Sequence, residues 1–405
     1  MPKTTPTSIE VPVDGVVHSI EEKGASPKPE RVRLEYLDGV RGAASFYVML
    51  THLVLFINRS LFGAVKWLLP ATGWMHYGRT SVSIFIVLSG YCLMLPVARS
   101  DESAMPGDFW PYLARRARRI MPPYYAALLI SLALMWLFSN QIDRINTFWF
   151  TMKPVNAKVV VSHLLLIHNF SNDWIFKIDA PMWSVATEWQ IYFLFPLVLL
   201  PVYRVSTGGM LGAALVIGVV PMFLFHTGET AAPWFVLLFG LGMVGAAINF
   251  TNGEKWHRLK DGINWSVGCI AAIACVFVWH IIAAPRLHLN WKGELIEDVI
   301  TGLATMSLLV ACTNNLHTNR RSAVVRCLES KPLLFLGSIS YSLYLMHAPI
   351  LGSLDVAIRA LGLSDGVSAF LYVAGGAAAA VGVTYLFYLA FERPFTARKK
   401  WTVLA

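Results

Sequence analysis

Residues 36–57 read YLDGVRGAASFYVMLTHLVLFI, an apolar stretch carrying charges where a membrane helix seldom has them. The length and composition predict a spanning helix, with Asp38 at its N-cap and the apolar run strengthening from Phe46 onward. Arg41 and His52 are eleven residues apart, which at about 100° per residue is three turns plus about 20°. They therefore share a face, and Asp38 and Ser45 fall within about 40° of the His52 direction. The rise between them is roughly 16 Å, about half the thickness of a bilayer core. Polar groups at that depth are costly, and they mark either a buried pathway or active site, or a snorkelling arginine and a histidine bonded to a neighbouring helix. Residues 36–57 alone leave both readings open.

The whole chain agrees with a spanning reading. Its 405 residues are 56% hydrophobic and only 14% charged, with mean hydropathy +0.55. This excludes an ordinary soluble domain and predicts a multi-pass protein of the cell membrane, an all-α polytopic bundle in contact with lipid. Apolar runs at 37–57, 80–97, 120–138, 183–203, 210–226, 232–250, 264–284, 296–313, 332–352 and 367–391 give about ten spanning helices. Residues 159–170, VVVSHLLLIHNF, are too short to cross and read as a re-entrant or surface helix. Counting ten spans from a cytosolic start places 22 basic residues inside and 10 outside, which with Arg41 accounts for all 33. Both termini are then cytosolic. Residues 1–33 read as a disordered tail without a signal peptide, 34–396 as the membrane domain, and 397–405 as a short tail. The net charge of +9 is spread over short loops, so nucleic acid is not expected as a partner. Five cysteines without a C-x-x-C spacing indicate neither a disulfide framework nor a zinc site.

Three further stretches carry chemistry. ARRARRIMPPYY, residues 114–125, opens the expected third span with four arginines and no lysine. The guanidinium suits bidentate phosphate recognition. Arg116 and Arg119, spaced i, i+3, project together beside what is expected to be a helix N-terminus. In PMWSVATEWQIYFLFP, residues 181–196, Ser184, Glu188 and Tyr192 fall at i, i+4 and i+8 and line one face. Glu188 is expected at the depth of His52, where a carboxylate accepting one imidazole N–H makes the other nitrogen a better base. In LLFLGSISYSLYLMHAPIL, residues 333–351, Tyr341, Tyr344 and His347 lie toward the outer half. His163 and His168 are weaker candidates for an acceptor entrance. No H-x-x-x-H or H-E-x-x-H spacing occurs, and a metal is not expected.

In this order the motifs resemble the acyltransferase type-three family of integral-membrane O-acyltransferases. Leu37-Asp38-Gly39-Val40-Arg41-Gly42 with His52 is similar to the family's opening element, and residues 83–91, SIFIVLSGY, to its second. Arg116-Ala117-Arg118-Arg119 resembles its R-x-x-R motif, and Trp183-Ser184 through Glu188 to Tyr192 its W-S…E…Y element. Residues 339–347, ISYSLYLMH, with Pro349, and Phe391-Glu392-Arg393-Pro394-Phe395 complete the set. Two positions depart from the pattern. Ser83 stands where an acidic residue is common, and Trp189 where a second glutamate is usual.

The resemblance implies transfer of an acyl group, most often acetyl, from acyl-coenzyme A to a hydroxyl of a carbohydrate or other acceptor. Acyl-coenzyme A is then a donor substrate rather than a permanently bound cofactor. Arg116 and Arg119 would dock its phosphates, Arg41 would guide the pantetheine arm, and His52 would be general base with Glu188 orienting it. Ser184, Tyr192, Tyr344 and His347 would contact substrate. An acyl-histidine intermediate fits the same residues. With the chain ending at Ala405, the membrane domain is expected to handle the acceptor itself. The rival readings are a transporter of a small polar or anionic solute, for which glycines 240, 242, 245, 375 and 376 could open a path, and a scaffold without chemistry. No internal repeat of the transporter kind is visible in the sequence.

Overall fold

A computed structural model describes residues 31–60, 73–100, 103–145, 152–225, 231–283, 291–318, 321–396 and 402–404. The protein is a bundle of helices. The exception among the described residues is one short antiparallel pair, β1 (Arg31–Arg33) with β2 (Thr402–Leu404), in the register Arg31 to Leu404. This pairing brings the two ends of the described chain to the same face of the bundle. The principal helices are α1 (Tyr36–Ser60), α2 (Arg79–Ala98), α3 (Phe109–Leu137), α4 (Ala157–Leu164) and α5 (Met182–Val205). They continue as α6 (Thr207–Phe225), α7 (Phe235–Phe250), α8 (Glu254–Gly262), α9 (Trp265–Val278), α10 (Trp291–His317), α11 (Lys331–Ser338), α12 (Ser340–Ala360) and α13 (Asp365–Phe387).

Among the described residues the ten apolar runs fall on helices, the ninth on two of them, but fewer than ten meet the length a crossing needs. Six helices are long and apolar enough to span, or up to eight if each bent pair is one span. The two bent pairs are α7 with α8, at 99°, and α11 with α12, at 76°. Two shorter apolar helices cover 207–223 and 265–281. The expected ninth span, 332–352, is therefore a broken element. Gly337, just before the break, lies so close to α1 that a Cβ there would be 2.0 Å from the Asp38 carbonyl oxygen. The carboxylate of Glu392 then caps the new helix, accepting from the Ser342 backbone N–H at 3.0 Å and from Ser342 Oγ at 2.5 Å. A carboxylate against the positive end of a helix satisfies N–H groups that have no partner inside it.

Other local expectations are corrected in the same way. Asp38 lies within the first turn of α1, not at its N-cap, and ion-pairs with Arg41 at 2.9 Å. Helix α3 begins at Phe109, so Arg116 and Arg119 stand about two turns inside it and have no helix N-terminus beside them. Residues 159–170, as their length leads one to expect, are not among the helices long enough to cross. They form the end of the eight-residue α4 and a single 3₁₀ turn at His168–Phe170. Tyr124 and Tyr125 of α3 hold α4 by donating to the carbonyls of His163, at 3.0 Å, and Leu164, at 2.8 Å.

Three consecutive residues of α2 show how the bundle closes. Ser89 Oγ meets Tyr192 Oη of α5 at 3.1 Å. Gly90 lets the α7 backbone approach until a Cβ would be 2.1 Å from the Phe239 carbonyl oxygen, and Gly242 of α7 is as close to Val87. Tyr91 donates to Asn249 Oδ1 at 2.8 Å and meets Thr313 Oγ1 of α10 at 2.8 Å. Small residues at such crossings gain dispersion contact where the membrane supplies no hydrophobic drive.

Candidate active site

A cavity of about 100 Å³ lies where α1, α2, α3, α5 and α12 converge. Arg41, Arg116 and Arg119 bring three guanidinium groups to it, and Glu188, Tyr192 and Tyr344 line it as well. Ligand pockets for whole molecules are typically about 300–1,000 Å³, so this one has room for the end of a narrow chain. Helical spacing accounts for the cationic lining. Arg116 and Arg119 are half-buried on the cavity side of α3, whereas Arg115 and Arg118 are exposed on other faces. Arg116 Nε is buried with no hydrogen-bond partner. Arg41 is held in place by Asp38 and by Cys92 Sγ, 3.0 Å from its Nη2.

The face of α5 carrying Ser184, Glu188 and Tyr192 also forms as the spacing predicts. Ser184 Oγ meets Tyr344 Oη at 2.6 Å, and Tyr344 donates to the Pro181 carbonyl at 3.0 Å. Glu188 Oε1 accepts from Tyr192 Oη at 2.5 Å. Glu188 thus has a tyrosine rather than His52 as its hydrogen-bond partner. His52 is half-buried in α1, and its Nδ1 lies 3.0 Å from the Val48 carbonyl oxygen and 3.2 Å from Nε2 of His347. Neither histidine lines the cavity. His347 stands one turn beyond Tyr344 on α12, their ring centroids 6.0 Å apart, so the histidine pair lies next to the tyrosine end of the cavity.

Two buried carboxylates, Asp298 and Asp179, were not singled out from the sequence. Ser83, standing where an acid is common, donates to Asp298 of α10 at 2.5 Å; the carboxylate is supplied by another helix. Asp298 is fully buried and also accepts from Arg79 at 3.1 Å and Trp234 Nε1 at 2.8 Å. The signal available in sequence was the acidic pair Glu297-Asp298 inside an otherwise apolar run. Arg79 also pairs with Glu294 at 3.1 Å and lies over the rings of Trp183 and Trp234.

The second, Asp179, lies in the segment before α5. His163 and His168 are fully buried, with rings stacked at 3.9 Å, so they do not face an entrance. Burial, and then the neighbouring His163, depresses His168 to about 3. Asp179 is 1% exposed, and neither carboxyl oxygen has a hydrogen-bond partner. Burial pushes its titration well above the usual carboxylate range. The folded protein therefore keeps a proton that the unfolded chain releases near pH 4, and the stability cost grows as pH rises above that value. Asp179→Asn removes the cost. Its thermal midpoint is expected above the parent's, with a larger gain at pH 8 than at pH 5. Thermal unfolding of the two purified proteins at both pH values measures this, and a lower midpoint at pH 8 would contradict it.

Among the described residues, no group of three or more His, Cys, Asp or Glu side chains is arranged to hold a metal ion.

Known proteins resemble this chain over most of its length. Residues 34–389 match the family model described as an acyltransferase domain. The chain is 22% identical over 311 residues to the peptidoglycan O-acetyltransferase OatA of Listeria monocytogenes, covering 69% of this chain and 46% of that protein. It is 22% identical over 346 residues to the O-acetyltransferase OatA of Staphylococcus aureus, covering 82% of this chain and 52% of that one. The chain therefore spans about half the length of these curated relatives. No solved structure matches it.

Proposed function

The chain belongs to the acyltransferase family, and from that membership we propose that it moves an acetyl group from acyl-coenzyme A to a hydroxyl of a surface glycan. The observation that carries the donor half is the cavity itself. Three guanidinium groups converge on a space sized for a narrow chain, which fits the phosphate-bearing, slender form of acyl-coenzyme A. The excess of basic residues on the side taken as cytosolic supports putting the arginine end toward the cytosol, where this donor is found. The acceptor half rests on the relatives, two of which are named for O-acetylation. Peptidoglycan is accordingly the first acceptor to try.

In this reading the phosphates lie on Arg116 and Arg119 and the pantetheine arm passes Arg41 and Glu188. The thioester arrives near Ser184, Tyr192 and Tyr344. His52 takes the proton of the acceptor hydroxyl as that oxygen attacks the thioester carbonyl. The carbon–sulfur bond then breaks, and the thiolate leaves with the proton from His52. Charge on the tetrahedral oxygen needs donors of its own, and the Tyr344 and Ser184 hydroxyls on the cavity wall would supply them by giving up their present bonds to the Pro181 carbonyl and to each other. Of the glycines that a permeation path could use, Gly242 is instead pressed against the α2 backbone.

The test is thioester cleavage by the purified protein in lipid discs, with acetyl-coenzyme A and soluble peptidoglycan fragments. Free thiol released in proportion to O-acetylated fragment is the expected result. Acetyl-coenzyme A cleavage that ignores every hydroxylated acceptor, or solute uptake into vesicles without thioester cleavage, would overturn the proposal.

A further inference from the structure

The histidine pair lies outside the cavity lining, and its geometry determines where its protons sit. His347 is fully buried, and its Nδ1 lies 2.8 Å from the Leu343 carbonyl oxygen. A carbonyl only accepts, so Nδ1 carries the hydrogen and Nε2 of the neutral ring carries a lone pair. That lone pair faces His52 Nδ1 at 3.2 Å, and the second neighbour of the same Nδ1 is again a carbonyl, that of Val48 at 3.0 Å. Two acceptors around one nitrogen require a donor. His52 therefore holds its hydrogen on Nδ1 and presents Nε2 with a free lone pair. The rings are steeply tilted to each other, with centroids 4.7 Å apart and planes at 65°.

We propose that His347 is the positioning residue of His52, joining the Val48 carbonyl in holding the hydrogen on Nδ1 so that Nε2 stays free as base, and accepting from the imidazolium that forms. This rests on His52 being the base, as proposed above. The proton moves only between the acceptor oxygen, His52 Nε2 and the departing thiolate. His347 keeps its Nδ1 hydrogen on Leu343 throughout and never changes charge. Once His52 is protonated, its bond to His347 becomes charge-assisted and strengthens. A neutral acceptor takes the place that a carboxylate fills in hydrolytic triads. This placement agrees with Glu188 being engaged by Tyr192. Two α-helices far apart in sequence are thereby tied at the reacting group, since His52 belongs to α1 and His347 to α12.

Two replacements separate positioning from packing. His347→Phe keeps an aromatic ring but removes the acceptor, and His347→Gln offers an amide oxygen in its place. With acetyl-coenzyme A and the peptidoglycan fragments, His347→Phe is expected to lower kcat about 100-fold, with KM for the donor within about twofold. His347→Gln is expected to recover at least a tenth of the parent kcat. Nitrogen-15 spectra of the parent enzyme should show His52 Nδ1 as the protonated ring nitrogen, and its resonance should move in His347→Phe, where the Val48 carbonyl is the remaining acceptor. An unchanged kcat in His347→Phe, while His52→Ala is inactive, would overturn the positioning role and leave the base in place. Activity surviving in both His52→Ala and His347→Phe would instead overturn the base itself. If His347→Phe fails to fold, the parent spectrum still decides, because a hydrogen found on His52 Nε2 contradicts the proposal.

Discussion

His52→Ala is expected to abolish acyl transfer while the protein still inserts, folds and binds acyl-coenzyme A. A positioned general base contributes about 10²–10⁴-fold, so kcat should fall by at least the lower figure. Donor affinity should hold, because His52 and the cavity arginines lie at opposite ends of the site. Arg41 is eleven residues earlier on α1, roughly 16 Å along the axis. A merely structural histidine predicts the opposite pattern. Its side chain bonds the Val48 carbonyl and His347, so truncation would cost stability, yet each folded molecule would keep its turnover. Thermal unfolding, donor binding and turnover measured on one purified sample distinguish the two. Near-normal turnover per folded molecule would remove His52 as base.

What the sequence made legible follows from the periods it can carry. Spacing within one helix is a local property, so Arg41 with His52, Arg116 with Arg119, and Ser184 with Glu188 and Tyr192 each fall on shared faces as expected. The multi-pass helical class was equally visible, because composition alone excludes water as the solvent for so many apolar runs. What could not be read was which helix faces which. His347 meets His52 across 295 residues and Ser83 meets Asp298 across 215, and no periodicity reaches that far. The partner assigned to His52 was Glu188 because both were expected at one depth, whereas depth says nothing of direction around the helix axis. Helix starts failed for another reason. The start of α3 is amphipathic and carries Pro111 near its N-terminus, so an apolar-run criterion begins the helix too late. The Ser89-Gly90-Tyr91 and Glu392 motifs were recognised as patterns, but their physical roles in joining α2 to three neighbours and capping α12 appear only in three dimensions.

The arginines of α3 provide the second large effect, and an internal control with it. If Arg116 and Arg119 hold the phosphates of the donor, each alanine variant loses a charge-assisted contact worth roughly 1.5–3 kcal/mol. That converts to about 10- to 150-fold weaker binding of acyl-coenzyme A. The double variant should fall short of the product, because side chains that share one ligand group are not independent. Lysine at either position should rescue only in part, since a point charge replaces a planar fork. With no helix N-terminus at hand to add its own attraction, the guanidinium groups carry this term alone. A simple topology signal makes a different forecast, because four arginines of one short stretch would then contribute alike. Arg115 and Arg118 are exposed, and Arg115 donates to the Pro106 carbonyl at 2.9 Å. Arg115→Ala and Arg118→Ala should therefore leave donor affinity within about twofold of the parent, since lone surface charges contribute little. Equilibrium binding of labelled acetyl-coenzyme A to all four variants, at matched protein insertion, reads the difference. Equal losses at all four positions, or none at Arg116 and Arg119, would reduce the cluster to an orientation signal and leave the cavity without its donor anchor.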